Sequence, residues 1–172
     1  TRTMPAKKRR RRKKKHYKTG THHSLKCKTP VEYRSGWELE VAKFLDQDPN
    51  VLEYGYECLA IEYVSNLRTQ KVRSYYPDFL ITYKDGSRKL AEVKRKDKLN
   101  DPIVMKKAKA AEEWCAKQNP PVRYEFWTNT MIEAFRKINE AALMVQKPVI
   151  PETLKQKVRA QVRKRKPKKT SK

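Results

Sequence analysis

Two apolar, aromatic and β-branched runs stand out along the chain, Tyr75 to Tyr83 and Arg88 to Lys94, separated by Lys84-Asp85-Gly86-Ser87. Runs of this kind around a turn signal predict the two antiparallel strands of one hairpin. Strand side chains alternate between faces, so Glu92 and Lys94 share one face while Ala91 and Val93 share the other. The turn decides where Asp78 falls. A two-residue Asp85-Gly86 loop would place Asp78 opposite Val93. A three-residue loop with Gly86 left-handed pairs Tyr83 with Ser87 and sets Asp78 opposite Glu92, and this second register is the one expected.

Helical periodicity marks three further elements. Ser35-Gly36-Trp37-Glu38 has the Ser-x-x-Glu spacing of a capping box, and Trp37, Val41, Phe44 and Leu45 follow on one face, so a helix should run from here to about Asp46–Asp48, before Pro49. Asp101-Pro102 is a cap followed by proline at the first helical position; Val104, Ala108, Ala111 and Cys115 mark the buried face of a helix reaching about Gln118. Lys106, Lys107 and Lys109 are assigned to its other faces. Thr130 to Glu133 reads as a second capping box, opening a helix whose Met131, Phe135, Ile138 and Ala142 face the core. Between these elements, Glu57 to Val64 is a strand expected to pair with the central hairpin, Ser65 to Arg73 a polar connection suited to a phosphate backbone, and Val122 to Thr128 another strand. Thr19 to Tyr33 is expected to be irregular. From Pro151 a basic helix with Leu154, Val158 and Val162 is predicted.

Charge changes this picture at the ends. The 172 residues carry a net +24, but residues 1–30 hold thirteen Lys/Arg and no acid, and residues 152–172 hold ten Lys/Arg and one Glu. The middle is therefore almost neutral. The expected organisation is a basic arm over 1–30, one globular domain over 31–147, and a basic helix or tail over 148–172. The run Lys7, Lys8, Arg9, Arg10, Arg11, Arg12, Lys13, Lys14 and Lys15, echoed by Arg163, Lys164, Arg165 and Lys166, repels itself and calls for a polyanion. Nucleic acid, double-stranded DNA first, ranks above a solubilising tail, an import address or an acidic lipid. No apolar stretch is long enough to span a membrane and no secretory signal precedes the domain. Cys27, Cys58 and Cys115 are odd in number and widely spaced, which fits free thiols in a reducing, intracellular setting. His22, His23 and Cys27 lie close together without a second pair of ligands, so a solvated arm is preferred to a zinc site.

The candidate chemistry lies on the hairpin. Carboxylates directly opposed on paired strands have Cβ atoms roughly 4.5–5.5 Å apart and repel unless a cation lies between them. Hard oxygen ligands at that spacing suit Mg²⁺ or Mn²⁺, and Lys94 beside them could hold or relay a proton of an activated water. Glu38 falls on the apolar arc of its helix, where it either only closes the capping box or supplies a third acid. Glu57 is a weaker further candidate. Arg95, Lys96 and Lys98 form a basic exit that is either solvated or a substrate-facing rim.

The order of an acid-bearing helix, a hairpin with Pro77-Asp78, Glu92-Val93-Lys94, a helix and a strand resembles the PD-(D/E)XK nuclease superfamily. The wording of Tyr33-Arg34-Ser35-Gly36-Trp37-Glu38, Ile61-Glu62-Tyr63, Arg73-Ser74-Tyr75-Tyr76-Pro77-Asp78-Phe79 and Glu92-Val93-Lys94 is similar to two of its groups: the head completion nucleases of T-even-like tailed phages and the N-terminal catalytic domain of TnsA-type transposon endonucleases. The resemblance covers about residues 33–128. It implies an α/β fold, a small mixed β-sheet flanked by helices (a restriction-endonuclease-like core), to which the charge pattern adds disordered or partner-bound basic N- and C-terminal arms. It implies Glu38, Asp78 and Glu92 around one or two Mg²⁺ (or Mn²⁺) ions, with Lys94 near the attacking water. The expected activity is metal-dependent DNA endonuclease action in phage head completion and DNA packaging, in a virion or the host cytoplasm, with head or neck proteins as partners. The alternatives are a non-catalytic DNA-binding protein of a virion head or neck, and a transposon end-cleaving subunit that works with a transposase.

Overall fold

A computed structural model describes residues 17–146 and Gln156. The basic run Lys7–Lys15, the predicted helix from Pro151 and the cluster Arg163–Lys166 lie outside these residues.

The expected hairpin is the centre of the fold. Strand β6 (Phe79–Tyr83) and strand β7 (Arg88–Val93) pair antiparallel with Phe79 opposite Ala91 and Thr82 opposite Arg88. Tyr83 and Ser87 close the turn through a 2.9 Å backbone bond, and Gly86 has φ +87°. This is the three-residue loop, whose register continues to Asp78 opposite Glu92. A left-handed residue is needed at its last position, and glycine takes that conformation without steric cost.

Strand β3 (Val51–Tyr56) pairs antiparallel with β6, and strand β8 (Arg123–Trp127) runs parallel to β7, giving a four-stranded mixed sheet in the order β3-β6-β7-β8. The expectation that Glu57–Val64 pairs with the hairpin is corrected: β3 takes that place. Strand β4 (Ile61–Asn66) instead pairs with strand β5 (Lys71–Tyr75) as a separate two-stranded ribbon. Ser65–Arg73 is thus the tip and arms of this ribbon rather than an irregular connection.

Helix α1 (Gly36–Gln47) and helix α3 (Asn129–Gln146) cover one face of the sheet. Val41, Leu45, Ile132 and Phe135 pack against Val51, Tyr54, Phe79, Ile81, Ala91 and Trp127, with Phe44 stacked on Phe135. Helix α2 (Pro102–Ala116) covers the other face, where Ala111 and Cys115 meet Leu90, Val122 and the ribbon residues Ile61, Tyr63 and Tyr75. The strand alternation explains this division, since Ala91 points to the first layer and Leu90 and Glu92 to the second.

Three local expectations change. Residues 19–33 are not wholly irregular: strand β1 (Gly20–His22) pairs with strand β2 (Val31–Tyr33), and Cys27 and Val31 are buried in the core. The chain between them is tied down by Lys26, which donates to the carbonyls of Leu45 and Asp48 at the C-terminus of α1. Helix α3 begins one residue before the Thr130 capping box, with the Ile132 amide bonded to the Thr128 carbonyl, and Glu133 pairs with Arg136 instead. Its buried stripe is Ile132, Phe135 and Asn139, while Ile138 is exposed. Asn139 wins that position because it is fully used there: it donates to the Glu40 carbonyl and side chain and accepts from Gln47. Among the described residues no helix is long and apolar enough to cross a membrane.

Candidate active site

Asp78 is held from both sides at the end of the central hairpin. Pro77 is fully buried just before it, where the missing N–H deprives no ladder of a donor. The Asp78 carbonyl accepts from the Glu57 amide at 2.9 Å, and its Oδ2 accepts from the Val93 amide at 2.7 Å. The carboxylate thus takes the donor that β7 presents beyond its last pairing with β6. Glu92, one residue earlier on β7, is buried on the α2 face; its Oε1 is 3.6 Å from Lys94 Nζ, and its Oε2 is buried with no hydrogen-bond partner. A buried carboxylate oxygen without a donor is costly. Close by, the Tyr124 hydroxyl is also buried without a partner.

Electrostatics records the strain of this pair. Burial, and then the charge of Glu92, hold the Asp78 carboxyl well above the usual carboxylate range, with Glu38 adding to the effect; the Val93 amide and Lys94 pull the other way. Glu92 is also raised by burial, against the opposing pull of Lys94 and Lys107. Two like charges enclosed together form a site that favours a cation.

Glu38 takes part in a variant of the capping box, its carboxylate accepting from the Ser35 hydroxyl and the Arg34 amide rather than from the Ser35 amide. Ser35 caps α1 through its Oγ, which accepts from the Glu38 amide at 3.2 Å and donates to Glu38 Oε1 at 3.1 Å. Glu38 Oε2 accepts from the Arg34 amide at 2.8 Å and the Tyr56 hydroxyl at 2.7 Å. These bonds aim the carboxylate while leaving it near enough to act on Asp78. A cleft of about 550 Å³ opens here, lined by Glu38, Trp37, Lys94, Arg95, Lys98 and Lys18 among others. The basic exit after Lys94 is therefore partly a rim of this cleft, although Arg95 also pairs with Asp97.

The structure sets Glu92 3.6 Å from Lys94 and Asp78 in register opposite Glu92, while Glu38 lines the neighbouring cleft with Lys94 rather than joining the buried pair. Among the described residues, no three His, Cys, Asp or Glu side chains stand together as a ready-made metal cage. Glu57 pairs with Arg34. His22 bonds Asp46 at 2.6 Å and Cys27 is buried in the core, so the expectation of a solvated arm is corrected for these two, while His23 is exposed. The three cysteines are free thiols, and of them only Cys58 is exposed.

Two participants are absent from the sequence reading. Lys107, assigned above to a solvated face, lies with its ammonium 5.4 Å from the centre of the Tyr75 ring and 5.8 Å from that of Tyr63, facing Glu92 from α2. The signal that could have found it is its spacing, three residues after Val104 and four before Ala111, on the edge of the apolar stripe. Tyr124 had no such signal, since its neighbour across β7 is known only once β8 is paired.

The buried pair is chemically suited to a hard divalent cation, because Glu92 Oε2 has an unused lone pair and both carboxylates have an unmet need for positive charge. Residues 48–127 match the model of a protein family described as the TnsA-like endonuclease N terminal. That match includes Asp78, Glu92 and Lys94 and starts after Glu38. Over 73 residues the chain is 30% identical to the head completion nuclease of Enterobacteria phage T4, covering 42% of this chain and 48% of that protein. The chain thus spans about half the length of the curated relative it matches. The resemblance to both nuclease groups stands, and the mixed sheet with helices on both faces agrees with a restriction-endonuclease-like core.

Proposed function

We propose that this chain is a metal-dependent endonuclease that hydrolyses phosphodiester bonds of double-stranded DNA, acting in phage head completion. The observation that carries this reading is the unpartnered, buried Oε2 of Glu92 beside the raised carboxyl of Asp78. An oxygen left in that condition is explained by a cation that the pair is built to hold. Mg²⁺ or Mn²⁺ bound there would supply a water of lowered pKa and neutralise charge on the phosphoryl oxygens.

The residues divide the remaining work. Asp78, fixed by the Val93 amide, and Glu92 would hold the cation, and Glu38, on the cleft that Lys94 also lines, would be the third acid. Lys94, 3.6 Å from Glu92, faces the attacking water and holds positive charge where the phosphate becomes more negative. Lys18, Arg95 and Lys98 on the cleft rim fix the backbone of the strand being cut. The basic arms outside the described residues add affinity without sequence information. The match to a transposon endonuclease family favours a second setting, cleavage at transposon ends, with the same site chemistry.

Metal binding can be tested apart from cutting. Because a ligand bound only to the folded state stabilises it by about 2.7 kcal/mol at 100 times its Kd, Mn²⁺ should raise the Tm of the wild type by several degrees over a chelator control. Glu92→Gln should lose that rise. Equal rises in both proteins would remove Glu92 from the metal site.

A further inference from the structure

The ribbon formed by β4 and β5 has no structural reason for its charge. Lys71, Val72, Arg73 and Ser74 are all exposed, so β5 shows both faces to solvent until it reaches buried Tyr75. The tip, Leu67 to Gln70, is exposed as well. From Tyr63 to Pro77 there is no acidic residue, and Arg68, Lys71 and Arg73 make no salt bridge among the described residues. Leu67 and Val72 are 69% and 53% exposed. A strand pair that packs on α2 through Ile61, Tyr63 and Tyr75 yet leaves unpaired cations and exposed aliphatic side chains is a poor use of sequence unless something covers them.

The tip is nevertheless well ordered by its own bonds. Asn66 Oδ1 accepts from the amides of Arg68 and Thr69 at 2.9 and 3.1 Å, and the Gln70 side chain donates to the Leu67 carbonyl at 2.6 Å. At the other end the ribbon is anchored to α2: Lys106 donates to the Ser65 carbonyl, and the Tyr75 hydroxyl donates to the Lys107 carbonyl, both at 3.0 Å. Tyr75 is three residues from Asp78 and lies under the same Lys107 ammonium that faces Glu92. The Tyr75 end of the ribbon therefore lies close to the carboxylate pair. Its five-residue arm reaches about 17 Å. That is roughly half the 34 Å turn of B-DNA, the separation between a phosphate and the groove adjoining it.

We propose, resting on the nuclease reading, that the β4–β5 ribbon inserts into the major groove of duplex DNA next to the scissile phosphate. That groove is about 12 Å wide and admits a two-stranded ribbon. In this placement Lys71 and Arg73 meet phosphates along the groove walls. Arg68, Thr69 and Gln70 face base edges, and Leu67 and Val72 pack on sugars and thymine methyls. A-form RNA has a major groove too deep and narrow for such an element, so the ribbon selects B-form DNA.

The test is disulfide cross-linking of the full chain. Thr69→Cys is made with Cys58→Ser to remove the exposed thiol and Asp78→Asn to keep the DNA intact. Its control is Asp85→Cys, on the exposed β6–β7 turn, in the same background. Each is mixed with duplex carrying an activated thiol tether on thymine C5. Position 69 should cross-link about tenfold faster than position 85, as a locally concentrated partner does, and an RNA duplex should abolish the difference. Equal rates at 69 and 85, or equal rates on RNA and DNA, would overturn the proposal. In parallel, replacing Arg68, Lys71 and Arg73 by alanine should flatten the salt dependence of DNA binding by about 0.9 in log–log slope for each phosphate no longer neutralised. An unchanged slope and affinity would also overturn it. Cross-linking does not require hydrolysis and cutting is read separately on the protein with Asp78 intact, so cross-linking at 69 with no cutting by that protein supports the ribbon and refutes the nuclease, whereas cutting by it without cross-linking at 69 does the reverse.

Discussion

Asp78 and Glu92 cost the folded chain stability when no cation is present. Their carboxyls are raised by burial and, at Asp78, by mutual repulsion, so the folded state binds protons that the unfolded state releases. Stability from these groups is therefore greatest below the ordinary carboxylate pKa of about 4 and is lost as pH rises from there through the raised folded values. Asp78→Asn keeps an oxygen to accept from the Val93 amide and removes the charge. In chelator at pH 7–8 it should be more stable than wild type by about 1–3 kcal/mol, the cost of an unsatisfied buried group, and the gap should close toward pH 4. Urea unfolding across pH checks this; a variant less stable at pH 8 would contradict it. The meeting of Asp78 and Glu92 could be read in advance because Gly86 specified the loop and the loop specified the register. Lys107 was legible only as a residue on the edge of the apolar stripe of α2; that it faces Glu92 was not, because the rotation of α2 over the sheet depends on packing with Tyr63 and Tyr75, residues far away in sequence.

At the scale of elements, α1 does two jobs through one hydroxyl. Ser35 Oγ caps the helix and orients the Glu38 carboxylate. Ser35→Ala should lower stability by about 1 kcal/mol, measured by urea unfolding, and should also slow DNA cleavage, since Glu38 loses a guide. A loss of stability with cleavage unchanged would leave Glu38 a capping residue only. Elements with local signals were legible: the caps of α1 and α2, the glycine turn, the proline before β6. Pairing between distant strands was not. Both β3 and β4 carry strand residues, and the choice of β3 as partner to β6 rests on Val51, Tyr54 and Tyr56 filling the space beneath α1. In α3 the apolar rule placed Ile138 inward, whereas a polar residue with three partners, Asn139, holds the buried position.

Over the whole molecule, charge and fold occupy different parts of the chain. The nearly neutral middle builds a mixed sheet between helix layers, and most of the net +24 falls in the end segments. Folded structure reaches into the segment that composition assigns to a basic arm, because β1 (Gly20–His22), Lys26 and Cys27 are integral to the α1 side. The basic composition of residues 17–30 hid this, since lysines such as Lys26 read as arm residues until their carbonyl partners are known. On the proposed function, the basic end segments, the cleft rim and the ribbon would be successive points of contact for one DNA duplex. The most direct test of the nuclease reading is cleavage of supercoiled plasmid at low salt by wild type and Asp78→Asn, with Mg²⁺, Mn²⁺ or chelator, and a gel shift run alongside. The expected result is metal-dependent nicking or linearisation by wild type, lost in chelator and in Asp78→Asn, while both proteins bind the plasmid. Cleavage that persists in Asp78→Asn, or tight binding with no cleavage by wild type under any metal, would contradict it.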